Sequence, residues 1–198
     1  MLSASSSAMG FIFLAASVYD LDSALNEAVL TSRNVTLIIN ATRLQDVSYP
    51  ALDGVQVLHV PVQDQPHAPL SLYFDPVAER IHQNQRGSTL VHCSAGRSRS
   101  PALIMAYLMR FEGLSLCQAH ELVLECRPFI RPNAGFWRQL MEYERKLSGR
   151  NTVRMARTAA GVLPENNYTR NLLPGKEAEG KFRGLTAFMG TKLPFLTL

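Results

Sequence analysis

The chain has 198 residues, of which 46% are hydrophobic and 18% charged, an ordinary globular balance with length for one domain and a tail. Its net charge of +4 is uneven: residues 1–149 hold 12 Lys+Arg against 13 Asp+Glu, or −1, and residues 150–198 hold 8 against 3, or +5. The basicity therefore belongs to the tail and marks no nucleic-acid face on the body.

In chain order, "MGFIFLAASV" (9–18) has the apolarity of a signal-peptide core, but no Lys or Arg precedes Arg33. At about ten residues it is also too short to span a bilayer. The reading is a flexible segment over 1–10, then a buried first strand over Phe11 to Leu14. "NVTLIINAT" (34–42) and "VQVLHVPV" (55–62) are β-branched runs bounded by turn residues and predict strands. Phe74, Val77, Ala78 and Ile81 recur at helical spacing and predict a helix from about 70 to 84. "GSTLVHC" (87–93) predicts a strand covered on both faces. "PALIMAYLMRF" (101–111) is apolar nearly all round and predicts a helix through the core, with Pro101 in its first turn.

Ser115 and Gln118 form a capping-box pattern opening a helix that buries Ala119, Leu122, Val123 and Cys126. Phe136, Leu140, Tyr143 and Leu147 mark a last helix. The alternation of strands and helices predicts an α/β fold with a largely parallel sheet. Beyond residue 150 the periodicity fades. One domain is expected over 11–150, a partly docked segment over 151–173, and a flexible basic tail over 174–198.

Three cysteines, Cys93, Cys117 and Cys126, make no disulfide framework and point to a reducing compartment. The histidines are scattered, with no zinc spacing. One stretch carries chemistry: "VHCSAGRSRS" (91–100) reads as strand, tight loop and buried helix. In open α/β sheets ligands bind at the C-terminal ends of strands, where a helix N-terminus presents free N–H groups. A loop from Cys93 to Arg99 there would wrap a phosphate-sized anion, with Gly96 permitting the turn and Arg99 supplying a planar fork. The same positive surroundings would lower the Cys93 pKa and make a thiolate nucleophile.

His92 to Ser100 matches the HCxxGxxRS signature of cysteine-dependent protein phosphatases. Over roughly 11–173 the chain resembles the small atypical dual-specificity phosphatases, in "VPVQDQPHAP", "AYLMRFEGLSLCQAHELV" and "RPFIRPNAGFWRQLMEYE". "TVRMARTAAGVLP" is similar to the subgroup of dual-specificity phosphatases fourteen, eighteen and twenty-one. The resemblance implies a single α/β domain with a largely parallel mixed sheet of four or five strands flanked by helices. It implies Cys93 as nucleophile, Asp64 as general acid, Ser100 stabilising the departing thiolate, and Arg99 binding phosphate. Ser94, Ala95, Gly96, Arg97 and Ser98 complete the phosphate loop, while His92 and Asn133 support it. No metal or cofactor is implied.

Asp75 is a weaker acid candidate, since its helical register faces solvent. Arg97 reads as a rim charge. Cys117 and Cys126 read as packing residues, as do Trp137 and Tyr143, and His120 has no assigned chemistry. The implied substrates are phosphotyrosine and phosphoserine/threonine in proteins, mitogen-activated protein kinases among them, in the cytoplasm and the nucleus. Two rivals stand beside this: phosphoinositide or RNA 5′-phosphate hydrolysis on the same fold, and a non-catalytic phosphoprotein-binding scaffold.

Overall fold

The computed structural model describes residues 12–13, 24–158 and 161–165. The expectations for segments 1–10 and 174–198 lie outside the described residues. The core is a four-stranded sheet in the order β1-β4-β2-β3, built from β1 (Ile12–Phe13), β2 (Val35–Asn40), β3 (Gln56–His59) and β4 (Ser88–His92). Every pairing in it is parallel. The antiparallel pairing falls instead in a separate two-stranded ribbon, β5 (Arg154–Thr158) with β6 (Gly161–Glu165).

The strands are shorter than their apolar runs because local chemistry ends them. Asn34 stands at φ 49°, in the left-handed region, so β2 starts only at Val35. At its far end the Asn40 carboxamide accepts the Thr42 amide at 2.9 Å and hydroxyl at 2.7 Å, turning the chain out of the sheet. Just past β3, Val60 makes one more bond of ladder type, to the Asn40 carbonyl, before Pro61, which has no N–H, ends the pairing. A register shift between Val35 and Leu37 places Val35 with Ile38 on one face and Leu37 with Ile39 on the other.

Both faces of β2 and β4 are covered. One side carries α1 (Glu27–Ser32) and the loop residues Tyr49, Leu52 and Val55, packed on Ile38 and Leu90. The other carries a short 3₁₀ turn (Leu70–Tyr73), α2 (Phe74–Gln83), α3 (Arg99–Phe111), α4 (Leu116–Cys126) and α5 (Ala134–Ser148). α3 is buried from Arg99 through Met109, as its all-round apolarity predicts, and lies between α2, α4 and α5. The Ser115–Gln118 capping box opens α4 as read from the sequence. Among the described residues, no helix is long and apolar enough to cross a membrane.

Three packing expectations change. Cys126 is only half-buried. Leu147 is 41% exposed, because the buried stripe of α5 ends at Tyr143 and Glu144 and its last turn faces solvent. Asp75 is no free solvent-facing carboxylate: Arg110, Lys146 and the Tyr143 hydroxyl all engage it. Residues 151–158 and 161–165 contribute more order than the fading periodicity suggests. Glu144, 2% exposed, accepts the Leu116 amide at the start of α4 and the Thr152 amide, both at 2.8 Å. That clamp, with Val153 fully buried, docks the ribbon's root onto the body.

Candidate active site

β4 ends at His92, and the loop that follows runs from Cys93 into α3 at Arg99, at the C-terminal edge of the parallel sheet. The turn is tight because Gly96 adopts φ 64°. A Cβ there would also stand 2.8 Å from the Arg127 guanidinium, so glycine answers both a backbone and a packing demand.

Cys93 is 1% exposed, and its sulfur accepts the Ser100 hydroxyl at 3.3 Å. Burial alone pushes this thiol up. The Ser100 hydroxyl and amide, the Arg99 charge and the Ser98 amide outweigh it and hold the thiol below its ordinary value. Arg99 is buried as well: Nη1 donates to the Val62 carbonyl at 3.2 Å and Nη2 to Ser94 Oγ at 3.1 Å. Its Nε is buried with no hydrogen-bond partner among the described residues. A buried guanidinium N–H calls for an acceptor, and an oxygen of a tetrahedral oxyanion fits that demand.

His92 hydrogen-bonds through Nε2 with the Tyr49 hydroxyl at 2.6 Å, ring edge against ring face. Burial first, opposed by a contact with the Cys93 backbone and helped by the Arg99 charge, pushes the imidazole down to about 4. The ring is neutral at pH 7 and braces the loop rather than exchanging protons.

Asp64 lies on the exposed loop after β3, yet it is tied to the loop between Cys93 and Arg99. Its Oδ1 accepts Ser98 Oγ at 2.7 Å and Asn133 Nδ2 at 2.8 Å. Asn133 is the N-cap of α5, accepting the Gly135 and Phe136 amides at 3.0 Å, and its own amide donates to Ser98 Oγ at 3.3 Å. Gly135 lets α5 start against the loop that carries Asp64, since a Cβ would fall 1.8 Å from the Pro66 carbonyl oxygen. One turn on, Gln139 donates to the Ala68 carbonyl and accepts the Ser71 amide.

Residues 127–133 also support the loop from outside. Arg127 donates to the Gly96 carbonyl at 3.4 Å, the Arg131 amide to the Arg97 carbonyl at 2.6 Å, and Arg97 Nε to the Phe129 carbonyl at 3.1 Å. Ser94, Ala95 and Arg97 are exposed at the rim.

The structure thus gathers Cys93, Arg99, Ser100, Asp64, His92, Asn133 and the loop residues at one edge of the sheet. Cys117 and Cys126 lie on α4, and burial, then Glu125, pushes the Cys126 thiol up to about 11. His120 packs edge-on against Trp137 in the interior. Sequence reasoning missed Tyr49, Arg127, Gly135 and Gln139 as parts of the site. Arg127, Gly135 and Gln139 had a signal, falling within the "RPFIRPNAGFWRQL" stretch; Tyr49 depends on a distant side chain, that of His92.

Residues 18–146 match the family described as "Dual specificity phosphatase, catalytic domain". Human dual specificity protein phosphatase 14 is 47% identical over 156 residues, covering 76% of this chain and 77% of that protein. Human dual specificity protein phosphatase 18 is 44% identical over 142 residues, covering 71% of this chain and 74% of that protein. A solved mouse protein complexed with zinc tungstate shares 38% identity at a TM-score of 0.63, over 70% of this chain and 84% of its own. With a cysteine loop, a buried arginine and a tethered carboxylate at the sheet edge, and these matches over most of its length, the chain belongs to the dual specificity phosphatase family.

Proposed function

We propose that this chain hydrolyses phosphate esters of tyrosine and of serine or threonine in proteins, through a phosphocysteine on Cys93. The observation that carries the reading is the sulfur held below its ordinary pKa against burial, beside a buried guanidinium whose Nε has no partner among the described residues. In the first step the thiolate gives an electron pair to phosphorus. The bond from phosphorus to the substrate oxygen breaks, and Asp64 protonates that oxygen. In the second, water attacks phosphorus and its proton passes to the Asp64 carboxylate. The S–P bond breaks, its electron pair returns to sulfur, and the Ser100 hydroxyl steadies the thiolate. Arg99 and the loop amides hold the non-bridging oxygens throughout.

The names of the relatives support both substrate classes, and the mouse protein's complex with tungstate, a tetrahedral oxyanion, supports a phosphate-sized loop. Mitogen-activated protein kinases are the substrates proposed within this class, on the family resemblance. A cycle that returns to a free thiolate suits a reducing compartment, the cytoplasm or nucleus. The one loop feature favouring a more anionic substrate is Arg97, an exposed rim residue whose Nε donates to the Phe129 carbonyl.

Phosphate release from phosphopeptides and from phosphoinositides tests the assignment. Phosphopeptide turnover should vanish in Cys93→Ser and fall roughly 10²–10⁴-fold in Asp64→Ala. Undiminished turnover in Cys93→Ser, or preference for the lipids, overturns it.

A further inference from the structure

Ser98 occupies the N-cap position of α3, at φ −127° and ψ −67°, yet its side chain makes no capping bond. A serine there ordinarily bonds an amide of the first turn, and the other N-caps of α1, α4 and α5 do so. Ser98 instead turns its hydroxyl away from its own helix. It donates to Asp64 Oδ1 at 2.7 Å and accepts the Asn133 amide at 3.3 Å. The residue is 5% exposed, so the hydroxyl is fixed between two protein partners rather than shared with bulk water.

This arrangement orders the carboxyl group. Asn133 Oδ1 is committed to the Gly135 and Phe136 amides, so its Nδ2 must be the atom facing Asp64. Oδ1 of Asp64 then receives two donors, one from Ser98 and one from Asn133, as many as its two lone pairs accept. A proton on the carboxyl group is left to Oδ2. We propose that Ser98 is a positioning residue for the acid–base steps: its hydroxyl makes Oδ1 the carbonyl-type oxygen and Oδ2 the proton carrier. The link also ties the acid loop to the backbone that holds phosphate, because Ser98 lies between Arg97 and Arg99. Acid and oxyanion site are thereby tied to each other through one side chain.

The inference rests on the phosphatase reading and adds to it a role for a residue that touches neither phosphorus nor sulfur through its side chain. Its signature is dependence on the leaving group. A leaving phenolate with strong electron-withdrawing substituents departs unaided, whereas phenol itself, with a pKa of about 10 like tyrosine, needs the proton.

The test uses the full chain, with Ser98→Ala, Ser98→Thr and Asp64→Asn. Single-turnover cleavage of 4-nitrophenyl phosphate carrying further electron-withdrawing groups is compared with that of phenyl phosphate, alongside the alkylation rate of Cys93. Ser98→Ala should slow phenyl phosphate at least about tenfold, within the range for a general acid, and the activated ester less than about threefold. Ser98→Thr, which keeps the hydroxyl, should restore most of the loss. In an Asp64→Asn background, Ser98→Ala should cause no further selective loss. Equal slowing of both esters, with Cys93 alkylation slowed in parallel, would show loop distortion instead and overturn the proposal. So would an undiminished rate on phenyl phosphate. The phosphatase reading fails separately, by turnover that survives Cys93→Ser.

Discussion

Removing the Ser100 hydroxyl tests how the nucleophile proposed at Cys93 is kept ionised. Ser100 Oγ lies 3.3 Å from Cys93 Sγ, and both residues are 1% exposed, so Ser100→Ala removes a donor from a buried anion. A hydrogen bond to a charged group contributes about 1.5–3 kcal/mol, and 1.36 kcal/mol corresponds to a tenfold change in the protonation equilibrium. On the acid side of its transition the thiolate population of Cys93 should therefore drop about tenfold to a hundredfold. The loss is partial, because the Ser100 and Ser98 amides and the Arg99 charge remain.

The assay is the rate of iodoacetamide alkylation of Cys93 across pH, read by peptide mass spectrometry. Cys126, whose thiol burial and then Glu125 push up to about 11, serves as an internal slow control. The alkylation midpoint should move to higher pH, and turnover of an aryl phosphate should show a burst of phenol as expulsion of the thiolate becomes slower. A midpoint that coincides with wild type would refute the reasoning, since the hydroxyl would then contribute nothing to the sulfur's charge.

Acid should destabilise the fold through two buried histidines. Burial is the largest cause pushing both His92 and His120 from 6.5 down to about 4, so the unfolded chain binds more protons between those values. Their contribution is complete above pH 6.5 and lost as pH falls towards 4, about 2 kcal/mol for each near pH 5; urea midpoints measured across that window should fall, and a flat profile would refute it. Glu144→Ala should cost about 3 kcal/mol in urea unfolding, because the Leu116 and Thr152 amides lose a buried carboxylate at 2.8 Å. The neighbouring exposed Glu142→Ala should stay within about 0.5 kcal/mol, and equal effects would refute the clamp.

Much of the architecture was legible because it depends on local period. The apolar run of 101–111 became the buried α3, and the Ser115–Gln118 pair became a capping box. The β-branched runs became β2 and β3, although their ends depended on the Asn34 left-handed turn, the Asn40 side chain and Pro61. The β5–β6 ribbon was missed since its five-residue strands carry little apolar signal. Leu147 misled because helical spacing says which residues share a face but not where the partner surface stops.

For the site, the order of residues from His92 to Ser100 already brought a cysteine, a loop of anion-binding size and an arginine to one place, since a tight turn between a buried strand and a buried helix admits few geometries. Tertiary structure alone decided what aims them. Asp64 meets Ser98 and Asn133 across separations of 34 and 69 residues, and Tyr49 reaches His92 across 43. A single hydrogen bond between distant loops leaves no periodic trace in sequence, and it forms only once the sheet and helices have brought both backbones to the same edge.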